Sequence, residues 1–302
     1  MTTGDALVVG ARGLIGSAVL RRLRAGGVSA RAAAVSWHGD TAADDLRRAA
    51  ASVDPHGAGV FWCAGAGVNG MTAEDTDREL RHFSAFLGAL PGTVPVFLAS
   101  SAGGVYSGSP DAPFDETSPP VPLAEYGRAK LAMESAARDW ADTTGGRLVV
   151  GRLANVYGPG QDLSKAQGLV SQLLRGSLLS RAVSIYVPLD TMRDYVYVDD
   201  VAQQIVALMR PPAPGATLKV LCSGSSTTVA TLISTVRTVT GRRSPILLGD
   251  SPLRGTQVGD LRLRSVVDTD VVPSSVTSLE VGVSRTWQDM LERFAGGSLP
   301  GR

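Results

Sequence analysis

The sequence predicts an α/β fold, a doubly wound parallel sheet with a smaller C-terminal lobe, and three observations carry that expectation. Short apolar runs recur, and Ala6-Leu7-Val8-Val9, Gly59-Val60-Phe61-Trp62 and Val94 to Ala99 read as strands buried on both faces. Between them lie segments with apolar residues at helical spacing, so strand and helix alternate. The first run passes directly into Gly10-Ala11-Arg12-Gly13-Leu14-Ile15-Gly16, a glycine turn that opens a helix. With 302 residues, the chain has room for one large domain or a domain plus a lobe.

Taken in order, the turn is the first chemical signal. Its spacing is G-x-x-G-x-x-G, which lets the backbone turn tightly and approach a pyrophosphate whose charge rests on helix N-terminal amides. Gly10, Gly13, Leu14, Ile15 and Gly16 are therefore expected to bind a dinucleotide; an ordinary tight turn is the alternative. The helix should run from Ser17 to Ala25 and end at Gly26-Gly27. The next strand, Ala30 to Val35, should end beside the adenosine ribose, where an acid normally selects NAD. Here the chain reads Val35-Ser36-Trp37-His38, with no carboxylate before Asp40. A 2′-phosphate has a partner in Arg12, helped by Ser36 or His38, so NADP is favoured over NAD unless Asp40 folds back. A polar helix over 42–52 leads to the strand ending Cys63-Ala64-Gly65, whose small residues border the cofactor. A helix from about Thr72 to Leu90 then turns Leu80, Phe83, Leu87 and Leu90 toward a core.

The middle of the chain holds the reactive groups. Ser100 and Ser101 leave the C-terminal end of the Val94 to Ala99 strand, the edge where parallel sheets place their sites. In Glu125-Tyr126-Gly127-Arg128-Ala129-Lys130, a helix puts Tyr126 and Lys130 at i and i+4 on one face. An ammonium beside a phenol favours phenolate and lowers its pKa from about 10, which makes Tyr126 a candidate general acid/base.

These blocks, followed by Arg152-Leu153-Ala154-Asn155-Val156-Tyr157-Gly158-Pro159-Gly160 and Arg193-Asp194-Tyr195-Val196-Tyr197-Val198-Asp199-Asp200-Val201, stand in one order from end to end. The chain resembles the extended short-chain dehydrogenase/reductase family of nucleotide-sugar epimerases, dehydratases and reductases. The resemblance implies a Rossmann domain over residues 1–160, its sheet completed by about 193–225, with 161–192 and 226–302 as a substrate-binding lobe. It implies Ser101 as the catalytic serine, with Ser100 as the other choice because Ala102-Gly103-Gly104 makes the register ambiguous. Tyr126 would exchange a proton with a sugar hydroxyl or ketone, and Lys130 would hold the nicotinamide ribose. Asn155, Arg193 and Arg254 would meet the substrate's diphosphate, and Arg262 and Arg264 are further candidates facing the nucleotide or solvent. Asn155 capping a turn and Arg193 pairing with Asp194 are the structural alternatives.

Departures from the family pattern narrow the reaction. An acidic residue, which dehydratases carry between the serine and Val-Tyr, is replaced here by Ala102-Gly103-Gly104, so no carboxyl there protonates a departing hydroxyl. The family's asparagine on the preceding helix corresponds to Glu79, and the usual serine before the lysine is Ala129. NADPH-dependent reduction of a 4-keto sugar is expected. A 4-epimerase with retained NAD and a non-catalytic dinucleotide sensor are the alternatives.

Composition excludes other classes. Lys+Arg 29 against Asp+Glu 28 leaves a net charge of +1, which gives no field for nucleic acid or an anionic membrane. Two cysteines, Cys63 and Cys222, suit free thiols in a reducing cytoplasm. No basic-then-apolar leader and no apolar run of about 18 residues is present, so a soluble cytoplasmic protein is expected. No metal ligands are expected, and a homodimer through the helices near 72–90 and 126–143 is implied by the resemblance alone.

Overall fold

The computed structural model describes residues 5–37, 39–65, 71–163, 168–210, 215–249, 259–267 and 276–297. Its main sheet has six parallel strands in the order β2-β1-β3-β4-β5-β9: β1 (Ala6–Val9), β2 (Ala30–Ala32), β3 (Gly59–Trp62), β4 (Val96–Ser101), β5 (Arg147–Leu153) and β9 (Gly215–Leu221). The chain leaves β1 on one side to make β2 and returns on the other to make β3. That reversal opens a crevice at the C-terminal ends of β1 and β3.

Alternation along each strand sorts residues into two apolar layers. Leu7, Val60, Trp62, Val96, Leu98 and Leu148 meet α2 (Ala42–Ala51), α3 (Ala73–Leu87) and α5 (Glu125–Thr144) through Leu46, Phe83, Phe86 and Met133. Val8, Phe61, Phe97 and Val149 face α1 (Leu14–Ala25) and α7 (Val198–Leu208) through Val19, Leu23, Val201 and Ile205. Both faces are covered, which is why these strands read as continuous apolar runs rather than alternating ones.

A second sheet carries the other functional candidates. β8 (Met192–Tyr197) lies between antiparallel β10 (Ser226–Thr228) and parallel β12 (Asp260–Leu261), and β6 (Asn155–Tyr157) also pairs with β8. The arginine block therefore runs in this smaller sheet, and the sixth strand of the main sheet is Gly215–Leu221. Beside it α6 (Leu169–Leu179), α8 (Val229–Thr240) and α9 (Leu279–Ala295) enclose a separate apolar cluster of Leu173, Leu174, Leu232, Val236, Val283 and Trp287. β7 (Val183–Ile185) pairs in parallel with β11 (Ile246–Leu248) at the margin.

Several boundaries differ from expectation for local reasons. β2 stops at Ala32, because Ala33 makes a last ladder bond to the Val8 carbonyl and the Ser36 amide then donates to Asp45. β4 extends through Ser101, and a single helical turn, α4 (Ala102–Val105), follows it. α3 ends at Leu87, and its entry is a reciprocal capping box between Thr72 and Asp75. Among the described residues, no helix is long and apolar enough to cross a membrane. Cys63 and Cys222 are free thiols.

Candidate active site

The glycine turn closes one side of the crevice. Gly10 has a φ of +84°, and a Cβ there would lie 2.6 Å from the Ala64 amide, so only glycine lets the turn pass against the end of β3. Its carbonyl accepts a hydrogen bond from Gly13 at 2.9 Å. Gly13 is the N-cap of α1 and supplies no side chain to it, and the first turn has no acidic residue. The opening amides at Leu14, Ile15 and Gly16 are thus left to an anion, with Ala64 and Gly65 across the crevice. This arrangement fits the pyrophosphate of a dinucleotide.

At the adenosine end Arg12 is exposed and makes no hydrogen bond or ion pair among the described residues. Asp40 is exposed as well. The acid that approaches Ser36 is Asp45, on α2. Its Oδ2 accepts from the Ser36 amide at 2.9 Å and from Thr41, and its Oδ1 pairs with Arg48. The Ser36 hydrogen bond holds this carboxyl below its ordinary range. Both oxygens are thereby committed to the protein. Sequence reading missed Asp45, because a helix residue nine positions on returns to the strand end only in three dimensions. His38 lies outside the described residues.

The candidate reactive residues come together where α4 meets α5. A Cβ on Gly127 would stand 2.2 Å from the Gly104 carbonyl, and one on Gly104 would stand 3.0 Å from the Tyr126 ring. The two backbones touch, and Tyr126 is laid along the turn that Ser101 caps. Ser101 Oγ accepts from the Gly104 amide at 3.2 Å. Ser101 and Tyr126 therefore meet through one residue, Gly104. Ser100, the other choice, points into the interior and donates to Glu134 Oε1 at 2.6 Å.

Lys130 is buried, with its Nζ 5.7 Å from the Tyr126 ring centroid and 3.0 Å from Glu79 Oε1. Burial disfavours the ammonium, but Glu79 first, then Tyr126 and Glu134, more than offset it, and Lys130 titrates above the ordinary lysine range. The charge beside the phenol is thus shared with a carboxylate.

Behind this centre lies a buried polar network that sequence reading did not assemble. Arg152 forks onto Glu134 at 3.0 and 2.8 Å and donates to Tyr106 Oη at 2.8 Å. Tyr106 in turn donates to the Asp115 carbonyl at 2.7 Å. The one available signal was helical spacing, since Tyr126, Lys130 and Glu134 follow at successive i+4 positions.

On the smaller sheet Asn155 Nδ2 donates to the Asp194 carbonyl at 3.0 Å. Asp194 is occupied by Ser223 and Gly224, so Arg193 does not pair with it. Arg193 instead donates to the Met192 carbonyl at 2.8 Å, and among the described residues no carboxylate forms an ion pair with it. Burial lowers its pKa, with Tyr195 and Asp260 opposing. A partly buried guanidinium with no direct ion pair among the described residues is suited to an anionic ligand. Arg262 and Arg264 are committed to Asp260 and Asp115. Arg254 lies outside the described residues.

Residues 6–221 match the NAD dependent epimerase/dehydratase family. The chain belongs to this family, within the extended short-chain dehydrogenase/reductases that its motifs resemble. It is 33% identical over 131 residues to the dTDP-L-rhamnose 4-epimerase of Burkholderia thailandensis, covering 43% of this chain and 36% of that one. It is 29% identical over 161 residues to a dTDP-4-dehydro-6-deoxyglucose reductase of Escherichia coli, covering 51% of this chain and 50% of that one. The chain thus spans half or less of the length of these two relatives. A UDP-glucose 4-epimerase of Mycolicibacterium smegmatis, 28% identical, matches over 86% of this chain and 91% of its own. In fold, the chain is similar to the UDP-glucose 4-epimerase of Thermotoga maritima, with a TM-score of 0.85, 23% identity, and 96% and 99% of the two chains covered. It is also similar to MoeE5 in complex with UDP-glucose and NAD, with a TM-score of 0.80, 25% identity, and 96% and 100% covered.

Proposed function

We propose that this protein reduces a 4-keto nucleotide sugar with NADPH. One observation carries the reading: Ser101 and Tyr126 converge on Gly104, in a turn whose residues Ala102, Gly103 and Gly104 carry no carboxyl group. A hydroxyl that polarises a carbonyl and a phenol that protonates its oxygen suffice for reduction, whereas elimination requires a further acid at that turn. Bound nicotinamide would supply the hydride. Lys130 would hold the nicotinamide ribose, the amides at Leu14 to Gly16 would hold the pyrophosphate, and Arg12 with Ser36 would meet the 2′-phosphate. At the other end, Arg193 grips the substrate's diphosphate, assisted by Asn155, with Arg254 the second arginine expected there.

A second reading, 4-epimerisation with retained NAD, is favoured by the nearly end-to-end match to a UDP-glucose 4-epimerase. The two separate in one experiment. Purified protein is incubated with NADPH and a panel of UDP-, dTDP- and GDP-sugars or their 4-keto forms, and both cofactor and sugar are followed. Oxidation of NADPH in step with a 4-keto sugar is the expected result. Interconversion of sugars without net cofactor use would overturn it in favour of the epimerase, and binding with neither would indicate a dinucleotide sensor.

A further inference from the structure

Glu79 departs from the asparagine expected on this helix, and its surroundings are unusual for a carboxylate. Oε1 lies 3.0 Å from Lys130 Nζ, while Oε2 is buried with no hydrogen-bond partner. Gly65 packs directly over the pair, and a Cβ at that position would stand 3.0 Å from both Glu79 Oε1 and Lys130 Nζ. The pair is thus largely shielded from water, so that opposite charges act more strongly on one another and on the phenol beside them.

Most of the other charged groups around the pair have partners of their own, Arg81 excepted. On α3, Arg78 is paired with Asp75, and Arg81 and His82 flank Glu79. On α5, Glu134 is held by Arg152 from β5 and by Arg138. Tyr106, at the end of α4, hydrogen-bonds to Arg152. Among the described residues, Glu79 is thus the carboxylate that bonds Lys130 and has no other cation bonded to it.

We propose that Glu79 is a positioning residue that keeps Tyr126 in its protonated form by offsetting the field of Lys130, and so biases the site toward donating a proton to a ketone. This rests on the hydride-transfer reading of Tyr126 and Lys130. A lone ammonium favours phenolate, the form that accepts a proton from an alcohol. A carboxylate bonded to that ammonium returns the phenol toward its ordinary behaviour, the form needed for reduction.

The test is a tyrosinate absorbance titration of the full chain, each protein being read against its own Tyr126→Phe partner so that the other tyrosines cancel. In Glu79→Gln, ionisation of Tyr126 should fall by about one pH unit, and the alkaline limb of ketone reduction should move down with it. Glu79→Asp, which keeps the charge, should restore most of the shift. Glu79→Asn serves as the neutral variant if Glu79→Gln does not fold. An unchanged or raised Tyr126 titration in a folded neutral variant overturns the role of Glu79. Turnover retained by Tyr126→Phe alone overturns the hydride-transfer reading instead, whatever the titration shows.

Discussion

At the scale of single residues, what decides a role is whether a side chain's charge is already spent. Arg262 and Arg264 have the same chemistry as Arg12 and Arg193, yet each is tied to a carboxylate, Asp260 or Asp115. Arg12 is exposed beside the glycine turn, with no partner among the described residues. A charge-assisted contact to a 2′-phosphate contributes about 1.5–3 kcal/mol. NADPH should therefore bind more tightly than NADH, and Arg12→Met should lose roughly tenfold or more of NADPH affinity with little change for NADH. Fluorescence titration of both cofactors checks this, and equal affinities in the unaltered protein would remove Arg12 from the argument. Arg193 follows the same logic at the substrate end. Arg193→Met should raise the nucleotide-sugar KM by tenfold or more, the loss of a charge-assisted contact, while leaving cofactor affinity unaltered.

At the scale of elements, the site depends on two helices that meet backbone to backbone. Gly127 sits one residue after Tyr126, and its contact with the Gly104 carbonyl sets the depth at which α5 enters the crevice. An added methyl group has no flexible neighbour to displace, because the atom it meets is a carbonyl of α4. Gly127→Ala should cost about 1–3 kcal/mol of stability, read from the midpoint of chemical unfolding. Turnover should fall further than cofactor binding, since the shift separates Tyr126 from Ser101 while the glycine turn lies elsewhere. A helix dipeptide such as Tyr126-Gly127 shows the glycine in the sequence. The reason for it is a carbonyl more than twenty positions earlier.

At the scale of the whole molecule, the buried network of Ser100, Glu134, Arg152 and Tyr106 ties β4, α4, α5 and β5 into one unit behind the reactive groups. Taking one partner from a buried ion pair leaves the other charge unpaired, at about 3–5 kcal/mol. Arg152→Met should be destabilised by that order, measured by chemical unfolding, and pairing it with Glu134→Leu should recover much of the loss. Large exposed hydrophobic side chains gather elsewhere, at Tyr186, Leu247 and Leu248 on the β7–β11 margin and at Val281, Leu291 and Phe294 on α9. Among the described residues none lies on α3 or α5, while Val121 and Leu123 stand just before α5.

The alternation of strand and helix is legible in the sequence, because fully covered parallel strands need continuous apolar runs and their helices need one apolar stripe. So are the glycine turn and the Tyr126–Lys130 pair, since both are local spacings that one strand end or one helix face carries whole. How charges from distant segments meet becomes visible only in the folded chain. The fold turned Ser100 inward to Glu134, brought Asp45 back to Ser36, placed Glu79 on Lys130, and gave Asp194 to Ser223 and Gly224, so that among the described residues no carboxylate bonds Arg193. Electrostatic partners are chosen by distance in space, and separation along the chain carries no record of it.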